Sequence, residues 1–350
     1  MKKIDYNSAP IISEKETILS VLRIMDSKKC KVLIILDSGK FVNVVSIGDI
    51  QRAIINKKSL DTTILEILRS EITIAYEKEN LTVIKQKMLK LRLELMPIIN
   101  SENELVDILY WNDLFDDEKN EKLDPLNIPV VIMAGGRGTR LKPLTNVIPK
   151  PLIPIGDKTI IEVILDKFEA IGCNEFYISI NYKSDILKYY LKDYDYQISY
   201  FKEEKPLGTI GSVSLLKGKI NTTFFVSNCD ILIDQDFREV YKYHKENKNE
   251  ITVISALKNY SIPYGIINTI DQGILISMDE KPEYLYQINT GVYILEPHLI
   301  NEIPDNEIFH ITQLIDKVVN RSGRVGVFPV SENSWKDIGE WNEYLKIVLK

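Results

Sequence analysis

The residues with the greatest capacity for chemistry lie in one stretch, Val130 to Glu162, which reads VVIMAGGRGTRLKPLTNVIPKPLIPIGDKTIIE. Gly135, Gly136 and Gly138 crowd together there, with Arg137 and Arg140 between and after them. Glycine lets the backbone turn sharply and approach a ligand closely, so that its N–H groups can face anionic oxygens. Guanidinium groups are always charged and can grip phosphate through two donors at once. Lys150 follows between Pro149 and Pro151, which restrict the backbone on both sides of it. The chemistry these residues suit is the binding of a triphosphate, followed by a positioned lysine. Two commoner glycine-rich motifs do not fit. The Walker pattern needs four residues between its glycines and then Lys-Ser/Thr. The dinucleotide fingerprint needs a third glycine where this chain has Leu141.

Elements must hold such a loop in place. The apolar run Ile128–Ala134 predicts a buried strand that feeds straight into the glycines. Downstream, strand-like and helix-like periods alternate: a helix over Ile160–Ile171, a strand over Glu175–Ile180, a helix over Lys183–Leu191, a strand over Gln197–Phe201, a helix beginning at Gly211–Leu216, and a strand over Thr223–Asn228. That alternation predicts an α/β domain, Rossmann-like, with a mostly parallel sheet. Ligands of such sheets sit at the carboxyl ends of strands. The glycine loop and Asp230 both follow strands directly, so both belong on that edge.

The chain has 350 residues, enough for two or three domains with ample cores. A hydrophobic content of 45%, charged residues at 27% and a net charge of −6 describe a globular protein with no electrostatic case for nucleic acid. No apolar run reaches membrane-spanning length, and the first residues, MKKIDYNSAPIISEKE, lack a signal-peptide core. Cys30, Cys173 and Cys229 form no CxxC pair, so the expectation is reduced thiols in the cytoplasm. His244, His298 and His310 have no partners at metal or triad spacing and read as structural.

The first part of the chain contains an internal repeat. Lys31–Leu36, a turn, Phe41–Val45 and a helix near Ile47 are echoed by Met96–Ile99, a turn, Leu105–Leu109 and a helix from about Trp111. Each copy is preceded by a helix-period segment, Thr17–Met25 or Leu81–Leu91. This part, residues 1–117, resembles an α+β tandem pair of CBS domains. The resemblance implies a regulatory or dimerising module and, through Ser46 and Asp49 in the first copy and Asp113 in the second, a place for the ribose of an adenine nucleotide. The second copy has Tyr110 where the hydroxyl residue would stand. A structural role is the competing reading, because an aspartate at a helix start is also a good terminus residue. The polar, charged segment DDEKNEKLDPLN reads as a linker, placed at residues 118–127.

Residues 128–350 resemble the sugar-1-phosphate nucleotidyltransferases, a GT-A-like fold. The family's opening signature, Gly-Gly-x-Gly-Thr-Arg-Leu-x-Pro-Leu-Thr ending in Pro-Lys-Pro, is present without a gap from Gly135 to Pro151. The resemblance implies that Ala134, Gly135, Gly136, Gly138 and Thr139 contact the nucleotide, that Arg140 contacts the triphosphate and that Lys150 contacts the sugar phosphate. It implies a Mg²⁺ ion held by Asp230, in VSNCDILI, and Asp337, in SWKDIGEW. It places the nucleobase along Glu204–Gly211, at Leu207, Gly208 and Thr209. It places the sugar at Gly265, Glu280, Lys281, Asn289 and Thr290. The implied reaction joins a nucleoside triphosphate to a sugar 1-phosphate and releases pyrophosphate. The CBS pair before the transferase domain resembles a subgroup of guanylyltransferases, including glucosamine-1-phosphate guanylyltransferases of legionaminic acid synthesis, which points to GTP and a hexosamine 1-phosphate for a bacterial surface glycan. Mannose 1-phosphate, a heptose 1-phosphate, CTP and UTP remain open, as does a nucleotide-sensing regulator without activity. The expected partners are these small molecules and further copies of the chain, with neither nucleic acid nor membrane.

Overall fold

The structure is a computed structural model that describes residues 9–348 apart from 92, 112, 113 and 115–124. Asp113, the helix expected from Trp111 and most of the expected linker fall on or beside the residues outside that description. The chain divides into two compact units, Met1–Lys122 and Leu123–Lys350.

In the first unit, β1 (Ile11–Ser13), the helix Ile18–Lys28, β2 (Val32–Asp37), β3 (Lys40–Ser46) and the helix Ile47–Ile55 form one copy. In the other, β4 (Ala75–Tyr76), the helix Leu81–Leu91, β5 (Leu95–Ile99) and β6 (Leu105–Tyr110) repeat the order. Each copy pairs its first two strands parallel and its last two antiparallel. Both carry a register irregularity at the equivalent point, Ile35/Leu36 and Ile98/Ile99. Ile34, Leu36 and Phe41 share one core with Leu95, Ile99 and Leu105, so the copies bury their apolar faces together. The leading strands β1 and β4 are additions to the sequence reading. At three and two residues they are too short to show a period.

The second unit is built on a seven-stranded sheet. Its strands in chain order are β7 (Val130–Met133), then beyond the short hairpin β8 (Pro154–Ile155) and β9 (Lys158–Thr159), β10 (Glu175–Ile180), β11 (Gln197–Lys202), β12 (Phe224–Asn228), and, after β13 (Ile231–Ile233), β14 (Ile251–Ser261). The ribbon β15 (Ile266–Thr269) and β16 (Leu275–Asp279) precedes β17 (Glu283–Leu295), β18 (Val325–Val330) and β19 (Trp335–Asp337). The sheet order is β11-β10-β7-β12-β17-β14-β18, and only β17 runs against its neighbours. Alternation along the strands feeds two cores. Val130, Ile132 and Phe225 face the helix Ile160–Glu169 with Ile164 and Phe168, while Val131, Phe224 and Val226 join Val213, Tyr293 and Leu314 on the other face. Gly211–Leu216 forms a 3-10 helix, in which the Ser214 hydroxyl donates back to the Gly211 carbonyl at 2.8 Å.

Candidate active site

β7 and β12 are parallel neighbours, so the glycine loop and Asp230 leave the sheet side by side at its carboxyl edge. Asp337 arrives there through a local pairing. β13 and β19 run antiparallel with Ile231 opposite Asp337, and the Ile338 N–H donates to the Asp230 carbonyl at 2.9 Å. Gly339 sits at the centre of the group. A Cβ there would lie 2.6 Å from Asp230 Oδ2, 2.7 Å from Asp337 Oδ1 and 2.9 Å from Lys150 Nζ. Any side chain at Gly339 would therefore push these three groups apart. Its N–H donates to Asp337 Oδ1 at 2.7 Å.

Lys150 lies on the 3-10 turn Lys150–Leu152 that starts behind Pro149. Its ammonium donates to Asp230 Oδ2, and both side chains are only 10% exposed. Gly138 adopts a positive φ of 62°, and a Cβ there would come within 2.8 Å of Thr145 Cγ2 and 3.0 Å of Lys150 Cβ. The Thr145 hydroxyl closes the loop by donating to the Gly138 carbonyl at 2.9 Å. Arg140 is half exposed and spans three carboxylates, at 2.8 Å from Glu340, 3.8 Å from Asp230 and 4.0 Å from Asp337. Partial burial would lower the Arg140 pKa, but Glu340, Asp337 and Asp230 outweigh it and the net direction is upward. Burial raises the Asp337 pKa, and the neighbouring Asp230 adds to the rise against the Gly339 N–H, Arg140 and Lys150.

Arg140, Asp230 and Asp337 open onto a cleft of about 320 Å³. Its lining includes Arg140, Asp230, Asp337 and Trp335 together with Asn228, Asn289 and Thr290. The part of the lining at Asn289–Tyr293 lies at an irregularity where β14 and β17 shift register between Val253 and Ser255. At that point Gly291 takes a φ of 87°, and a Cβ on it would meet Asn228 Nδ2 at 2.4 Å. Asn289 and Tyr293 exchange two hydrogen bonds, at 2.7 and 2.9 Å. The Thr290 hydroxyl is committed to the Ile254 carbonyl at 2.7 Å, so Thr290 shapes the wall through its backbone hold. Among residues read as structural, His310 lines the cleft, while His244 is buried between Thr252 and Glu296 and His298 bonds Glu250.

The segment Leu207–Gly211 has a structural task that the sequence did not disclose. Gly208, at φ 83°, and Gly211 leave room for the backbone at Phe309 and Glu307, which a Cβ would approach at 2.6 and 2.8 Å. The Thr209 hydroxyl accepts from the Ile311 N–H at 2.9 Å, at the start of the helix Ile311–Asn320. The residue that sequence reasoning missed is Glu203. It is buried at 6% exposure immediately beyond β11, whereas the adjacent Glu204 is exposed. Its Oε1 accepts from the Ser179 hydroxyl at 2.6 Å and its Oε2 from the Leu207 N–H at 3.3 Å. It also lies 3.0 Å from where a Cβ on Gly135 would stand, so it touches the glycine loop. In sequence the two glutamates are indistinguishable, and burial alone separates them.

Gly265, Glu280 and Lys281 are not among the residues lining the cleft. They lie past the far end of the β14–β17 pair, where Ser261 faces Glu283. That point is six residues along β17 from Asn289, roughly 20 Å at about 3.4 Å per residue. In the first unit, Ser46 and Asp49 form a capping box on the helix Ile47–Ile55. The buried Asp49 carboxylate also accepts from Arg52 and from Arg69, at 2.9 and 3.2 Å for the latter.

The donor set fits a hard divalent cation. Asp230 and Asp337 present carboxylate oxygens on one side of a polar cleft, and oxygen is what Mg²⁺ takes. Among the described residues no three His, Cys, Asp or Glu side chains form a closed metal cage. The protein would thus supply two ligands and leave the remaining positions to water and phosphate oxygens, as Mg²⁺ sites at phosphates commonly do. No helix among the described residues is long and apolar enough to cross a membrane.

A doubly wound sheet with a glycine–arginine loop and paired carboxylates at its carboxyl edge defines an α/β domain of the kind that binds ligands at that edge. The profile described as Nucleotidyl transferase matches residues 129–350, and the chain belongs to that family. The CBS domain profile matches residues 4–56. A mannose-1-phosphate guanyltransferase of Aspergillus oryzae is 31% identical over 231 residues, 61% of this chain and 62% of that protein. A mannose-1-phosphate guanylyltransferase 1 of Arabidopsis thaliana is 29% identical over 227 residues, with the same coverage of both. The chain thus spans about 62% of the length of these relatives. A crystal structure from Bacillus anthracis assigned as a glucose-1-phosphate thymidylyltransferase superposes with a TM-score of 0.51 at 20% identity, over 63% of this chain and 94% of that one, which speaks to the fold.

Proposed function

We propose that this protein is a sugar-1-phosphate nucleotidyltransferase. A phosphate oxygen of the sugar 1-phosphate attacks the α-phosphorus of a nucleoside triphosphate, one P–O bond forms, and the bond to the leaving pyrophosphate breaks. The observation that carries the reading is the convergence of Arg140, Lys150, Asp230 and Asp337 beside the glycine loop. Two anions must meet, and the attacking phosphate is already ionised, so neutralisation and alignment are the protein's tasks. Arg140 and the loop N–H groups orient the triphosphate, and Lys150 orients the sugar phosphate. Mg²⁺ held by Asp230 and Asp337 would supply charge neutralisation at the phosphates and a template for the in-line geometry.

Glu203 supports guanine as the base. A carboxylate is acceptor-only when ionised. Among the common bases guanine alone offers two adjacent donors, N1–H and N2–H, whereas adenine, cytosine and uracil each turn at least one acceptor toward such a group. The names of the relatives point the same way and favour mannose 1-phosphate as acceptor. The order of domains favours glucosamine 1-phosphate for surface-glycan synthesis. Incubation with Mg²⁺, each of four nucleoside triphosphates and a panel of sugar 1-phosphates, with pyrophosphate detection, separates these. GTP should turn over with at least one of the two acceptors. No turnover with any pair would leave the nucleotide-sensing regulator.

Two further readings belong to the same proposal. The chain acts as a homo-oligomer, a reading supported by the β15–β16 ribbon, where Ile267, Ile276 and Met278 are 61–62% exposed. Sedimentation at micromolar concentration gives the mass directly. An adenine nucleotide at Ser46 and Asp49 must compete with Arg52 and Arg69 for the same carboxylate. The structural reading is therefore preferred there, and calorimetry with AMP and ATP on the full chain should give no heat.

A further inference from the structure

Lys150 and Arg140 are the cations that phosphate calls for, and Asp230 and Asp337 are the carboxylates that a metal calls for. In this fold the two sets hold one another. The Lys150 ammonium lies on Asp230 Oδ2, and the Arg140 guanidinium lies 3.8 Å from the same oxygen and 4.0 Å from Asp337. The site of Gly339 shows how central the ammonium is, because Lys150 Nζ, Asp230 Oδ2 and Asp337 Oδ1 all fall within 2.9 Å of one point. A divalent cation held by these carboxylates would have to share that space with the ammonium. Like charges at about 4 Å repel strongly where little water reaches them, and both Lys150 and Asp230 are 10% exposed.

We propose that Lys150 and Arg140 form an internal counter-cation to the metal carboxylates, so that divalent cation and phosphate bind as a coupled pair. A phosphate draws the two cations away, and the freed Asp230 carboxylate takes the metal. The inference rests on the reading of Asp230 and Asp337 as metal ligands. The travel required is small. The Lys150 stem runs along the glycine loop, with Cβ and Cδ at 3.0 and 3.5 Å from where a Cβ on Gly138 would be. Rotation about its four-carbon stem can carry the ammonium away from Asp230 toward the sugar phosphate it is assigned to orient. Glu340, bonded to Arg140 at 2.8 Å, keeps the guanidinium within reach as its contacts to Asp230 and Asp337 part. Arg140 thus has an anchor that is independent of both the metal carboxylates and the phosphate. Coupling of this kind is reciprocal, so metal should strengthen phosphate binding by the factor with which phosphate strengthens metal binding.

The test is Mn²⁺ binding to the full chain, read as free Mn²⁺ by electron paramagnetic resonance. Mn²⁺ is a hard cation that takes the same oxygen ligands. Lys150→Met keeps the stem and removes the charge, and it should bind Mn²⁺ about tenfold or more tighter than the unaltered protein, within the ordinary coupling range of roughly 5–150-fold. The gain should vanish in Lys150→Met/Asp230→Asn. Sulfate, a tetrahedral dianion, should tighten Mn²⁺ binding to the unaltered protein, and the effect should shrink in Lys150→Met, where only Arg140 is left to be drawn away, a comparison that stands even if the variant melts early. Equal Mn²⁺ affinity in the unaltered protein and Lys150→Met overturns the proposal, and so does the absence of any sulfate effect on the unaltered protein. A gain that survives Asp230→Asn overturns it too, because the ion then sits elsewhere. The pyrophosphate assay keeps the two ideas apart: turnover together with equal affinities refutes the coupling and leaves the transferase standing.

Discussion

Replacing Glu203 by glutamine tests the guanine assignment with a single atom. The carboxylate already accepts from the Ser179 hydroxyl at 2.6 Å and from the Leu207 N–H at 3.3 Å. Each oxygen retains a lone pair, enough for the two adjacent donors of guanine. In Glu203→Gln the amide oxygen can stay with the Leu207 N–H, and the NH₂ group can turn to the Ser179 hydroxyl, which is able to accept. One guanine donor then keeps a partner, and the other faces an N–H. The loss is one hydrogen bond to a charged group, about 1.5–3 kcal/mol, plus a donor stranded in a dry site, about 1–3 kcal/mol. Together these imply roughly a hundredfold or greater fall in kcat/KM for GTP. ITP lacks the 2-amino group and supplies the internal control. The unaltered enzyme should prefer GTP over ITP by roughly 10–150-fold, the equivalent of one charge-assisted hydrogen bond. In Glu203→Gln that preference should shrink toward unity. Steady-state pyrophosphate release with both nucleotides, alongside a thermal melt to establish folding, measures all four numbers. A variant that keeps GTP activity within about threefold, or that keeps the full GTP/ITP ratio, refutes the assignment of Glu203 to the base.

Asp230→Asn should reduce kcat by about a hundredfold or more, because a transition-state charge loses its preorganised partner. Retained turnover would move the metal site elsewhere. Glu162 is a buried carboxylate whose desolvation is outweighed by the hydroxyl and N–H of Thr159 and by the hydroxyls of Tyr190 and Tyr194, which bring its pKa down to about 2. A depressed carboxylate stabilises the fold above its ordinary pKa of about 4.5 and loses that contribution as the pH falls toward about 2, a total on the order of 3 kcal/mol. The melting-temperature difference between the unaltered protein and Glu162→Gln should therefore be full above pH 5 and close toward pH 2, and a difference that does not vary with pH would contradict this. Gly208→Ala places a side chain at φ 83° and 2.6 Å from the Phe309 carbonyl, so it should cost about 1–3 kcal/mol of stability in a denaturant titration.

Much of the scaffold was legible from local period. β10 falls on the expected Glu175–Ile180, and β7, β11 and β12 match their expected strands to within two residues at either end. Apolar runs and alternation are properties of neighbouring residues, so they survive without tertiary context. The very short strands were not legible for the same reason. β13 and β19 have three residues each, yet their pairing is what brings Asp230 and Asp337 together. Thr209 and Gly208 were legible as positions of interest but not in their roles, because their partners at Ile311 and Phe309 lie about a hundred residues along the chain.

The amino-acid sequence by itself determined the anionic chemistry of the loop, since glycine and arginine types in that order suit phosphate whatever surrounds them. It also determined the alternation of strand and helix that places the loop at a sheet edge. Only the tertiary structure decided which of two adjacent glutamates is buried against the glycine loop. It alone set Asn289 on the cleft wall and carried Glu280 and Lys281 out along the β14–β17 arm. It also turned Lys150 onto Asp230 rather than leaving it free for phosphate. Burial and strand register are sums over contacts distant in the chain, and residue types in order do not contain those sums.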